Sequence, residues 1–579
     1  MEVIVVKRSI CLVVLAASAV ACGASDARFP LRDPMTHDGD LASVTAPCRH
    51  EGGHLACAPK PYRSSLYWDG ADNLIFRPLS DSLGLVTSGE SVDVNSLDEI
   101  PDSAWFTNRI ESMTVADLEQ GACTPAQILD PESAPDGSWL IDKGKMDGST
   151  PGFRVVVPGK GKFMIKVESV DDEPERQSAA AVIGASIVHA VGYYTSCEQL
   201  IYVRPTLFKL KPGLRSQANF QPEKPFDQKV LDALFAKSPR RNGRLRVSAS
   251  AWLPGYPIGP FKWKGTRSDD PNDVVPHEDR RELRGMRILA AWIDRTDARE
   301  ANSLDSWIAD NPKAHDSSPG HVVHYQLDVS ETFGGEWSWA PADIQRRIGM
   351  SYLIDWGDIA TSFFSLGIPV RSWEDLDPVK GHELFGYYQL KSFDPEKWKN
   401  EYPNIAFSRM TEHDAAWMAR ILARFTPEMI HALAVMGQFS DPTNTDYLEH
   451  VMSGRLDRIL ERYLLRLSPI TDVRMVSRDK LCGVDLAEWR GVRPESAFRD
   501  RAEFVRGSGL HVTRGGRGAL CVALEHVAPD GGVADDDPRR YVRVAIDDGV
   551  ARGKLVADLY DLGPSRGFRL AGLERPEPK

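Results

Sequence analysis

The chain has 579 residues, 42% of them hydrophobic and 26% charged, with a formal net charge of −12. That length exceeds what one hydrophobic core fills and predicts two or three domains. The acidic balance excludes a sequence-wide attraction for nucleic acid, and after residue 21 no stretch is long and apolar enough to span a membrane.

Lys7 and Arg8 precede an apolar run from Ser9 to Ala21, and small residues lead into Cys22. A charged start, a short apolar segment and small residues before a cut make a secretory signal. The 13 residues of the run cover about 20 Å as a helix, short of the roughly 30 Å hydrocarbon core. Ala19-Val20-Ala21-Cys22 resembles the lipobox of bacterial lipoproteins. The resemblance implies loss of residues 1–21, a lipid on Cys22 and an exported protein held to a membrane by that lipid. Gly23, rather than Asp, implies the outer membrane. An ordinary signal beside a chance cysteine is the alternative. Residues 22–60, rich in Pro, Asp, Gly and His without periodicity, read as a tether.

Six further cysteines remain after Cys11 and Cys22: Cys48, Cys57, Cys123, Cys197, Cys482 and Cys521. An even number in an exported chain predicts disulfides, although six allow fifteen connectivities. Cys48–Cys57 is local, Cys482–Cys521 lies within the last domain, and Cys123–Cys197 is left by elimination; buried free thiols are the alternative. His50-Glu51-Gly52-Gly53-His54 matches the H-E-x-x-H zinc pattern. Two glycines disfavour the helix that pattern needs, and the cysteines bracketing it predict a disulfide loop instead.

Residues 61–470 read as one module. Trp68, Phe76, Trp105 and Phe106 are expected packing anchors. Strands are predicted at Trp139–Ile141, Phe153–Val157 and Lys162–Val167, then a helix from Ala179 to Val191 closed by Gly192. Leu200–Val203 and Leu245–Trp252 are further strands, and the pattern turns helical from Glu278 through 340–467. Thr411 and Thr426 are expected N-caps. Leu448, Val451, Met452, Leu456, Ile459, Leu460 and Tyr463 form a core-facing stripe. After Pro469 the period changes to short β-like runs, so residues 471–579 read as a separate β-sandwich-like domain.

Strand, Gly-rich turn, strand, lysine strand, helix, strands and a helical half follow the order of a protein-kinase-like fold. This predicts an α+β bilobal core, with a β-rich N-lobe at about 130–255, a helical C-lobe at about 256–470, and the all-β domain appended. Gly144, Gly148, Ser149 and Thr150 in the turn suit backbone and hydroxyl contacts to phosphate. Lys166 resembles the kinase lysine that reaches phosphates. Asp297 stands five residues before Asn302, the catalytic-loop interval, and Asp328 follows a strand. The resemblance implies Asp297 as base, Asn302 and Asp328 as metal ligands, and Mg with ATP or another nucleotide as cofactors.

The chain also resembles a family of uncharacterised bacterial exported proteins over about residues 60–467. The matching stretches are Trp68–Asn73, Leu97–Arg109, Gly148–Phe153, Ala290–Ile293 with Asp297 and Asn302, His324–Asp328 and Gln438–Pro442. That resemblance implies a shared fold rather than an activity. Against catalysis stand Asp328-Val329-Ser330 where kinases have Asp-Phe-Gly, and a helix middle of Ala179-Ala180-Ala181-Val182 with no acid for the lysine. Glu175 is the nearest candidate. The expected function is therefore a membrane-tethered lipoprotein whose kinase-like module binds a phosphorylated or nucleotide-like ligand, with phosphoryl transfer as its catalytic form. A non-catalytic, pseudokinase-like surface or structural lipoprotein with an unknown surface or periplasmic partner is the alternative.

Overall fold

The computed structural model describes residues 28–578, apart from 64–65, 84–88, 147–149, 172–173, 218–221, 335–340, 369–370, 372 and 506. The signal segment, Cys22, Gly148 and Ser149 lie outside the described residues. The protein is mixed α+β, with several sheets and an all-β C-terminal unit.

Three strands, Trp139–Gly144, Gly152–Val157 and Gly161–Lys166, form an antiparallel meander. Arg244–Ala251 pairs beside the third, and Glu198–Val203 beside that in turn. The period of two along each strand sends Phe153, Val155, Phe163 and Ile165 into one apolar core, closed by Leu231 and Phe235 of the helix Gln228–Lys237. The same period leaves Met164 and Lys166 on the opposite face.

The helix Arg176–Val191 carries apolar residues on every side and is buried almost throughout. It ends at Gly192, whose φ of 136° and whose contact with the Phe106 ring both exclude a side chain. Tyr256–Gly259, Ser303–Ala309 and Gly320–Gln326 form a second sheet, joined in parallel by Tyr194–Thr195.

The large core gathers around the helix Arg281–Ile293, where Trp292 Nε1 donates to Met452 O at 2.8 Å. Thr411 caps Glu412–Leu422 in a capping box, and Thr426 caps Pro427–Met436. The apolar stripe from Leu448 to Tyr463 is buried as expected. Among the described residues, 340–404 are mostly turns rather than helix, with only Ala342–Gln345, Trp356–Phe364 and the single turn Glu383–Phe385 helical. Pro378, Gly381, Gly386 and Pro395 interrupt the apolar spacing there. Trp105 and Phe106 are buried anchors, whereas Trp68 and Phe76 are 62% and 50% exposed.

Ile470–Ser477 through Phe568–Glu574 make one eight-stranded antiparallel sheet. It curls until its first and last strands meet, so the unit is a near-barrel and not two packed sheets. Three disulfides are present, Cys48–Cys57, Cys123–Cys197 and Cys482–Cys521.

Residues 28–60 do not form a tether. Phe29 packs against Gly572, and its backbone bonds Tyr541 and Tyr560 of the near-barrel. Val44 bridges to Gly320, and Ala46, Ala56 and Ala58 are fully buried. His50 and His54 lie on a short hairpin, Arg49–Glu51 with His54–Ala56, which rules out the helical zinc-protease arrangement. No helix among the described residues is long and apolar enough to cross a membrane.

Candidate functional site

Lys166 ends its strand on the face turned away from the small core, and Asp328 follows the strand Gly320–Gln326 of the second sheet. Their side chains meet, with Lys166 Nζ donating to Asp328 Oδ1 at 2.7 Å. Ser330 Oγ donates to the same oxygen at 2.7 Å. Asp328 adopts a φ of 47°, a left-handed conformation that costs a non-glycine residue and gathers at functional sites. The Leu327 N–H, bonded to Asn302 O at 2.9 Å, holds the strand end against the Asp297 loop.

That loop is built from the end of the helix Arg281–Ile293. Asp294 terminates the helix with a φ of 58°, and Trp398 Nε1 donates to its Oδ1 at 2.8 Å. Arg295 is buried and donates to Gln326 Oε1 at 3.1 Å and Leu327 O at 2.8 Å, tying the loop to the strand that delivers Asp328. Asn302 Nδ2 folds back onto Asp297, donating to its backbone O at 2.8 Å and to Oδ2 at 2.5 Å. Arg299 Nε lies 2.7 Å from Asp297 Oδ1.

The ionisable groups at this junction are shifted in opposite directions. Burial raises the Asp328 carboxyl, but Lys166, with Lys145 and Ser330, outweighs it and holds the group well below the carboxylate range. Burial lowers the Lys166 ammonium, and Asp328 and Glu198 outweigh that in turn. Asp297 is pushed up by burial and by the Asp328 charge. Glu331 is pushed up to about 7 by burial and by the charges of Asp328 and Asp297. Burial and the Asp297 charge push Glu401 up as well. The Asp328 side chain is 38% exposed, so the junction opens to solvent there.

Of the predicted turn residues, Gly144 and Thr150 are among those described. A Cβ at Gly144 would collide with the Arg215 carbonyl, so close strand packing requires a glycine here. The Thr150 carbonyl accepts from Lys145 Nζ at 2.7 Å, and its hydroxyl meets Gln177 at 3.3 Å. Glu175 is no partner for Lys166: its carboxylate accepts the Ser440 N–H at 2.8 Å and also the Ser440 hydroxyl. Beside it Arg246 donates to the carbonyls of Gly437 and Gln438 at 2.6 and 2.7 Å, clamping the first sheet to the helical half.

Sequence reasoning missed Glu198, Arg299, Glu331 and Glu401. Glu198 pairs in register with Ser250, and Lys166 with Ser248 of the same strand, so the acid shares a sheet face with the lysine. It accepts from Ser250 Oγ at 2.6 Å and Ser196 Oγ at 2.7 Å. The alternation of Glu198–Val203 carried that signal. Glu401 lies in a turn with no pattern linking it to Asp297.

Oxygen donors from Asp328 and Asn302, beside carboxyls raised by burial and by neighbouring charges, suit a hard divalent cation such as Mg. The one set of His, Cys, Asp or Glu ligand atoms that converges among the described residues lies elsewhere, at Glu90, His413 and Glu577. Compared with known proteins, the chain matches no family model, no curated protein and no solved structure.

Proposed function

We propose that residues 61–470 form a kinase-like bilobal module that binds a phosphorylated or nucleotide-like ligand with a divalent cation at the Lys166–Asp328 junction. The observation that carries this reading is the convergence of Lys166 and Asp328, 162 residues apart, beside the Asp297–Asn302 loop. Lys166 would bind phosphate oxygen by a charge-assisted hydrogen bond. Asp328 and Asn302 would hold the cation, which supplies charge neutralisation when bound. Asp297, with its raised carboxyl, would accept a proton from an acceptor hydroxyl if transfer occurs.

Binding without transfer is the reading we favour. Lys166 is already engaged by Asp328, no acid from the helix Arg176–Val191 reaches it, and Glu175 is held by Ser440. Thermal shift with ATP, GTP and related compounds, with and without magnesium, tests this. Asp328→Ala should remove the magnesium dependence, Lys166→Ala should weaken binding with or without metal, and Asp297→Ala should leave binding intact. No shift with any nucleotide in the wild-type protein would sink it.

The same reading makes the protein an exported lipoprotein, in the family of bacterial exported proteins it resembles, anchored at Cys22 to the outer membrane. Three disulfides fit export. Cys22→Ser should release the protein from membranes or block its processing; unchanged membrane association would defeat the anchor.

A further inference from the structure

A cleft of about 1070 Å³ lies between the last helix of the core and the near-barrel. Arg458, Arg462 and Arg466 stand at four-residue spacing on the end of the helix Pro442–Ile459 and the turns that extend it, so they share one face. Arg490, Arg493 and Arg552 face them from the C-terminal unit. The lining holds six arginines against four carboxylates, in a chain whose net charge is −12. Overall composition therefore does not account for this positive surplus.

The six differ in what holds them. Arg458 donates to the carbonyls of Leu390 and Phe393 at 2.6 and 2.5 Å, and Arg462 forks onto Glu412 at 3.0 and 2.6 Å. These two are structural. Arg493 meets Glu461 at 2.5 Å. Arg490 stands 3.8 Å from Asp457, and Arg466 stands 4.0 Å from Glu577, both outside hydrogen-bond reach. Arg490 Nε is buried without a hydrogen-bond partner. Arg552 is exposed and has no ion pair among the described residues.

We propose that this cleft binds a compact polyanion, a small molecule carrying two or more phosphate groups, through Arg466, Arg490 and Arg552. Guanidinium forks match phosphate oxygens bidentately, and weakly engaged arginines rearrange toward an anion at little cost. Several forks in one cavity select multivalent ligands over single anions. The volume lies at the upper end for small-molecule pockets, and the acidic surface elsewhere disfavours a long polyanion. Because the cleft spans the core and the near-barrel, the ligand stabilises their junction.

The inference is independent of the Lys166–Asp328 site, and its test keeps the two apart. Calorimetric titration of the full chain carrying Lys166→Ala, with EDTA present, uses inorganic tripolyphosphate as the probe. Saturable binding is expected, weakened roughly tenfold by Arg490→Gln and again by Arg552→Gln. Arg552→Gln removes an exposed side chain, so its melting temperature should stay unchanged and its effect report binding alone. Orthophosphate should bind far more weakly. Absence of saturable binding, equal affinity for orthophosphate or citrate, or no effect of Arg490→Gln and Arg552→Gln together would overturn the proposal.

Discussion

Two buried charge networks in this molecule are built from the same residue types and behave in opposite ways. At Asp98, one carboxylate receives Arg281 and Arg575 at 2.6 Å each and Arg420 at 3.3 Å. Burial alone would raise its carboxyl, yet the three arginines hold it well below the carboxylate range. At the Asp328 junction, Asp297, Glu331 and Glu401 are pushed up instead, by burial first and then by the charges of neighbouring carboxylates. The first network has enough counter-charge to be part of the framework, and it links the near-barrel to the core through Arg575. The second holds carboxyls pushed up by burial and by one another beside an opening to solvent, and the cation and ligand site proposed above rests on that arrangement.

Breaking the framework network should give the largest effect. Asp98→Ala would leave three arginines buried and facing one another, and should cost about 3–5 kcal/mol. Urea unfolding followed by tryptophan fluorescence measures this, and a loss below about 1 kcal/mol would erase the contrast. Lys166→Met should act the other way round. Its partner is partly exposed, so the stability loss should stay near or below about 1 kcal/mol, while any nucleotide shift should shrink with or without magnesium.

The pH dependence sharpens the comparison further. Glu331 ionises at about 7 in the folded protein against an ordinary 4.5. Between those values the folded state holds the extra proton, so this group's contribution is fully present below about pH 4.5 and is lost as the pH rises through about 7. Glu331→Gln should flatten that part of a stability–pH profile. Asp98 has the opposite sign: its contribution is present above the ordinary carboxylate value and is lost only in acid. The smallest expected effect is that of Asp297→Asn, which removes one repelling charge and should raise the melting temperature slightly without ligand. A lowered melting temperature would mean that Asp297 belongs to the framework.

Local pattern carried much of this protein. Helix caps at Thr411 and Thr426, the buried stripe from Leu448 to Tyr463, the strand ending at Lys166 and the change of period after Pro469 follow from propensity and spacing, which act over a few residues. The order of Lys166, Asp297, Asn302 and Asp328 was likewise readable along the chain. What only the tertiary structure decided are relations between distant segments. Residues 28–60 look like a tether because a strap lying on other elements needs no periodicity of its own. The close approach of the Arg215 carbonyl to Gly144 likewise comes from segments the local pattern does not link. Glu198, not Glu175, faces Lys166 because strand register sets the shared face, while Ser440 claims Glu175 from the helical half. Whether a carboxylate is relaxed, like Asp98, or crowded, like Glu331, depends on how many charges packing brings near it, and no stretch of sequence contains that count.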